Sequence, residues 1–226
     1  MGSTLVSAAY HELHQRVAAA AQLAGHEVSL LAVSKTKPAT AIRELAALGQ
    51  CAFGENYVQE ALAKQRELAD LSLQWHLIGP LQSNKCRDVA THFDWLQSLD
   101  RVKLIEPLDR FRPLGAAPLN VLIQVNVDDE ASKSGCTPDE VPALARLVAA
   151  ARCLRLRGLM AIPAPKPDLG ARQDAFRRMR SLYERLREAH PQVDTLSMGM
   201  SEDFLLAIAE GANLVRIGSA LFGTRA

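Results

Sequence analysis

Lys35 ends the apolar run LLAVSK, and two-residue alternation puts it on the same side as Leu31 and Val33. A lysine turned inward there is partly desolvated, which lowers its pKa and makes the amine able to condense with a carbonyl. Position alone favours the other reading, a side chain snorkelling out to solvent from a strand end. Two Gly/Ser-rich turns carry a second signal: SMGMSED, 197–203, and RIGSALFG, 216–223. Backbone N–H groups freed by Gly199, Gly218 and Ser219, with the hydroxyls of Ser197, Ser201 and Ser219, suit a phosphate at helix N-termini. Either turn by itself also fits ordinary capping, with Ser201 as N-cap and Glu202 and Asp203 favouring the helix dipole.

Arg216 interrupts the apolar run LVRIG, where an unpaired guanidinium is costly to bury. Its partner is either a ligand's ring nitrogen or phosphate, or a structural carboxylate. His76 in WHLIG reads first as a hydrogen-bonded core histidine. Asn56 in FGENY reads as a cap for the following helix and Tyr57 as core, with contact to a ligand as the alternative for each. Lys37, beside Pro38, is expected to be a solvated loop residue, and so is Lys133 in DDEASKSG, unless it faces the pocket. GPLQSNK, 79–85, lacks the second glycine of GxxxxGK and is no Walker loop.

These residues need elements to hold them. Short runs rich in Val, Ile and Leu alternate with amphipathic stretches, the pattern of parallel strands joined by crossover helices. The runs are Val28 to Ser34, Cys51 to Gly54, Trp75 to Gly79, Trp95 to Leu99, Leu119 to Val127, Leu156 to Ile162, Thr195 to Met198, and Asn213 to Ile217. Helices are predicted over Pro38 to Leu48, Tyr57 to Leu71, Asn84 to His92, Arg101 to Leu108, Pro138 to Ala151, Leu169 to Ala189 and Ser201 to Ala209. A further one, Leu5 to Ala24, precedes the first strand. The expectation is an α/β fold with one domain over residues 1–226, a (β/α)8 TIM barrel with an extra N-terminal helix. An open doubly wound sheet is the alternative, because periodicity does not report closure. In a barrel the ligand site lies where the strands end. That rule selects Lys35, Asn56, Ser197 to Ser201 and Arg216 to Ser219, along with Glu55, Gly79, Ser98, Asn126 and Met160.

Charge excludes several partners. The 26 basic and 25 acidic side chains leave a formal charge of +1, with no footprint for nucleic acid or an anionic membrane. Cys51, Cys86, Cys136 and Cys153 have no metal-ligand spacing, so free thiols and no metal site are expected. With no signal-like start and no run of 18 apolar residues, a cytoplasmic protein that does not enter the membrane is expected.

Taken in order, VSKTKP, FGENYVQE, WHLIGPLQSNK, SKSG, RGLMAIP, LSMGMSED and VRIGSALFG closely resemble the pyridoxal phosphate (PLP) homeostasis protein family across about Leu30 to Gly223. The family resembles the barrel domain of alanine racemase standing alone. The resemblance implies PLP as cofactor, held as a Schiff base on Lys35. It implies Ser201, Gly218 and Ser219 on the phosphate, Met200 packing nearby and Arg216 at the pyridine nitrogen, with Asn56 and His76 bordering the ring. It further implies a role in intracellular vitamin B6 homeostasis by sequestering and delivering PLP, with apo PLP-dependent enzymes as partners. A monomer without catalytic activity is the expectation, and a PLP-dependent amino-acid racemase the alternative. A barrel enzyme forming a Schiff base with a phosphorylated sugar is a weaker third reading. Many members continue a few residues, often basic, beyond the point where this chain stops at Thr224, Arg225 and Ala226, which leaves any role of such a tail in ligand release unsupported here.

Overall fold

The computed structural model describes residues 2–128, 134–163 and 168–223. Eight parallel strands close into a barrel in chain order: β1 (Ser29–Val33), β2 (Ala52–Glu55), β3 (Gln74–Leu77), β4 (Trp95–Leu99), β5 (Leu119–Val125), β6 (Leu154–Ala161), β7 (Thr195–Ser197) and β8 (Leu214–Ile217). Closure is made by β8 against β1, with Leu31 opposite Arg216 and Ala32 opposite Ile217. The open-sheet alternative is thereby excluded.

The helices form the outer layer: α1 (Gly2–Ala24), α2 (Ala39–Ala47), α3 (Val58–Glu67), α4 (Cys86–His92), α5 (Ile105–Phe111), α6 (Val141–Ala150), α7 (Leu169–Ala189), α8 (Phe204–Ala209) and α9 (Ser219–Phe222). Apolar residues facing both layers, such as Ile42, Leu45, Phe53, Phe176 and Ile208, are fully buried between helices and strands. In α1, Tyr10, Leu13 and Val17 recur at helical spacing and are buried, and Arg16 lies over the Phe204 ring at 5.1 Å. Two smaller apolar clusters, Leu31 with Ile78 and Leu214, and Trp95 with Leu122 and Met160, are separate from the main core.

β6 begins at Leu154, earlier than predicted, and carries an extra residue: Val121 faces Leu156 but Leu122 faces Gly158. Gly158 has φ 151°, and a Cβ there would sit 1.8 Å from the Thr195 carbonyl oxygen, so only glycine lets β6 bulge this close to β7. The predicted helix from Ser201 starts instead at Phe204, and Ser201 is not its cap. Asp203 is the N-cap residue, and its Oδ1 accepts the Met200 N–H at 2.7 Å across the preceding turn. Gly199, at φ 92°, makes that turn, pressed so close to α8 that a Cβ would meet Ala207 at 2.6 Å.

Among the described residues no helix is long and apolar enough to cross a membrane, and no cluster of His, Cys, Asp and Glu is arranged to hold a metal ion. The cysteines are free, with Cys86 and Cys136 buried.

Candidate functional site

A cavity of about 800 Å³ opens at the C-terminal ends of the strands, within the size range of small-molecule sites. Lys35, Asn56, Met200, Ser201, Arg216, Gly218 and Ser219 all line it. The β1–β8 pairing brings the two ends of the chain's signal together. Gly218 packs so closely on β1 that a Cβ would come within 3.3 Å of the Val33 carbonyl oxygen, two residues before Lys35. Lys35 is half-buried on the cavity wall. Asn56 is fixed through its backbone, since a Cβ on Gly79 would sit 2.2 Å from its carbonyl oxygen. It does not cap α3, whose N-cap residue is Tyr57 with no side-chain bond, and Tyr57 is exposed where a core residue was expected.

Arg216 is 3% exposed and has no carboxylate within ion-pair distance among the described residues, which overturns the structural ion-pair reading. Its Nη1 donates to Ser197 Oγ at 2.7 Å and its Nη2 to the Ala161 carbonyl at 2.8 Å. Desolvation pushes its pKa down to about 10, and the charge of Asp203 offsets this in part. Two of its five N–H groups are used by these bonds, and the side chain lines the cavity.

His76 is the hydrogen-bonded core histidine that its run first suggests, and Ser197 is set away from the cavity that its turn was expected to serve. Neither lines the cavity; both are buried in the barrel interior behind Arg216. Ser197 Oγ donates to Gln97 Oε1 at 2.7 Å while accepting from Arg216, and Gln97 Nε2 lies 2.9 Å from His76 Nδ1. His76 Nε2 is 3.0 Å from Gln74 Oε1, and the ring stacks on Trp95 with centroids 5.1 Å apart. Ser197 is selected because it ends a strand, and a strand-end rule says nothing about depth along the barrel axis. Gln97, which joins Ser197 to His76, escaped notice; its signal is a polar residue inside the buried run WLQSL.

Burial, with a contribution from the charge of Arg157, lowers the His76 pKa to about 3. The unfolded imidazole therefore takes up a proton near pH 6.5 that the folded one refuses, so stability falls as pH drops from 6.5 towards 3. By pH 4.5 this amounts to about 3 kcal/mol. Glu55, whose pKa is raised chiefly by burial, acts in the opposite direction. Urea unfolding at pH 7 and pH 4.5 should therefore show a smaller acid loss in His76→Gln than in the wild type. Equal losses in the two proteins would contradict the buried neutral imidazole.

The phosphate-type turns meet at the cavity wall. Ser219 opens α9, and Ser201 Oγ accepts the Ala220 N–H at 3.4 Å, linking one turn to the other. Lys37 also departs from expectation. It lines the cavity, and its Nζ donates to the Phe222 and Gly223 carbonyls at 3.1 and 3.5 Å, where the helix end attracts a cation. Arg172, in the first turn of α7, lines the cavity too. Selection by strand ends missed it because it sits on a helix. Lys133 lies outside the described residues. The donor set is an amine, a buried guanidinium lacking a carboxylate partner, and two hydroxyl-bearing Gly/Ser turns. It suits a ligand with a carbonyl, a ring acceptor and a phosphate.

Fold and site define the class, a barrel of the alanine racemase type, and residues 9–226 match the family model described as the alanine racemase N-terminal domain. A pyridoxal phosphate homeostasis protein of Pseudomonas aeruginosa is 58% identical over 213 residues, covering 93% of this chain and 91% of its own length. One from Escherichia coli K12 is 50% identical over 220 residues, covering 95% and 94%. The chain belongs to the pyridoxal phosphate homeostasis protein family. Among solved structures, PipY of Synechococcus elongatus with PLP bound matches at a TM-score of 0.83 and 38% identity, over 96% of this chain and 100% of that one. Alanine racemase of Corynebacterium glutamicum has a TM-score of 0.69 at 20% identity, and the match covers 61% of its chain. That likeness concerns the fold alone.

Proposed function

We propose that the chain is a single PLP-binding domain that carries the cofactor as a Schiff base on Lys35 and serves as a cytoplasmic, monomeric reservoir. It limits free aldehyde and passes PLP to apo PLP-dependent enzymes. The observation that carries this reading is the meeting of Lys35 with Arg216, a buried guanidinium without a carboxylate partner, in one cavity. Ser201, Gly218 and Ser219 hold the phosphate with Met200 against it, Asn56 borders the ring, and Arg216 donates to the pyridine nitrogen. Ser197 and His76 take supporting parts: Ser197 accepts from Arg216 directly, and His76 backs Ser197 through Gln97.

PLP, when bound, supplies an electron sink for charge on a condensed amine. Arg216 weakens that sink, because an always-cationic donor leaves the ring nitrogen unprotonated. Racemisation also needs an acid/base group on each face of a substrate carbon. Lys35 is the lysine placed for one face, and the PLP homeostasis relatives are not named as enzymes. On this reading the chain binds PLP without turnover. Mixing the loaded protein with an apo-enzyme, beside an equal concentration of free PLP, should restore activity faster from the loaded protein. Equal or slower recovery would refute delivery, and steady release of D-amino acid would establish the racemase alternative.

A further inference from the structure

Behind the turn after β1 that carries Lys35 lies a buried ionic cluster that takes no part in lining the cavity. Lys64 of α3 is 5% exposed and Glu55, at the end of β2, is fully buried. The Lys64 Nζ donates to Glu55 Oε1 at 2.7 Å, Glu60 Oε1 at 2.7 Å and the Ser34 carbonyl at 2.8 Å, so each of its three protons has an acceptor. Glu55 Oε1 also accepts from Ser34 Oγ at 2.6 Å, and Glu60 Oε1 from the Thr36 backbone N–H at 2.5 Å.

The chain segment these bonds grip is 34–36. Ser34 is held by its carbonyl and its hydroxyl and Thr36 by its amide, while Lys35 between them turns to the cavity. Thr36 has φ 64°, the left-handed conformation that an L-residue, and a β-branched one above all, does not choose unaided. Such a conformation persists where its surroundings over-determine it. A buried ion pair is in general no better for stability than apolar packing, but it does fix geometry. Among the described residues Glu55 Oε2 is buried without a partner, a further sign that this cluster is not arranged for greatest stability.

We infer that Lys64 is a positioning residue for the Lys35 tether: with Glu55 and Glu60 it clamps Ser34 and Thr36 in the conformation that aims the Lys35 amine into the cavity. The inference rests on Lys35 being the residue that holds PLP.

The test measures PLP affinity and melting temperature of the full-length protein, together with the mass of the borohydride-reduced adduct on Lys35. Lys64→Met should weaken PLP binding about tenfold, equivalent to 1.4 kcal/mol, and lower the melting temperature. Thr36→Asn, which adopts the left-handed conformation more readily, should return most of the lost affinity to Lys64→Met without returning the melting temperature. A merely structural Lys64 predicts no such separation, and affinity that recovers only together with stability, or not at all, would overturn the inference. If Lys64→Met does not fold, Glu60→Ala decides. It leaves the Lys64–Glu55 pair intact, and should weaken PLP binding several-fold with little change in melting temperature; unchanged affinity would overturn the inference. Absence of any adduct on Lys35 in the wild type would instead sink the underlying assignment.

Discussion

Lys35→Ala should bind PLP at least about 100-fold more weakly than the wild type, a loss of about 2.7 kcal/mol, and should stay colourless when mixed with it. The side chain is half-buried at a strand end on the cavity wall, so its removal opens no core cavity and the melting temperature should hold. Lys35→Arg separates the two contributions a lysine makes. Arginine keeps the positive charge but does not give up a proton to form the neutral amine that condenses with an aldehyde. If Lys35→Arg binds as weakly as Lys35→Ala, the covalent bond carries the affinity. If Lys35→Arg retains wild-type affinity in an equilibrium titration, charge alone accounts for it and the tether assignment fails.

Arg216→Met should also separate stability from binding. Holding a guanidinium in the barrel with its pKa lowered to about 10 by burial biases the fold against the charged form by about 3 kcal/mol. The bonds to Ser197 and the Ala161 carbonyl offset this only in part. An unbranched apolar side chain of similar length removes the buried charge, and Ser197 Oγ keeps its bond to Gln97. The ligand-free variant should melt at the wild-type temperature or a few degrees above it, while PLP affinity falls tenfold or more. A variant that melts far below the wild type would show that Arg216 serves the fold; unchanged affinity would show that it does not meet the ligand.

Both predictions concern residues visible in the sequence, and the reason is geometric. A parallel strand buried on both faces reads as an unbroken apolar run, and in a barrel each run ends at the ligand face. Lys35 and Arg216 are conspicuous because they break or end such runs, and β8 lies beside β1 only because the barrel closes. A strand-end rule does not report depth, so it groups Ser197 with the ligand although its hydroxyl sits behind Arg216, whereas the reading of His76 as a hydrogen-bonded core histidine matches its place. Gln97 and Lys64 stayed hidden for another reason. Their partners, such as Ser197 and Ser34, are distant in sequence, and no local pattern announces a contact between β4 and β7 or between α3 and the end of β1. The four-residue α9 is too short to show helical periodicity, yet its carbonyl end is what draws Lys37 to the cavity.

The most direct test of the account is where the cofactor attaches. Protein incubated with PLP, reduced with borohydride, digested and read by peptide mass spectrometry should carry one pyridoxyl group, on the peptide containing Lys35. A reduced adduct on Lys37, Lys133 or another lysine, with Lys35 unmodified, would contradict it.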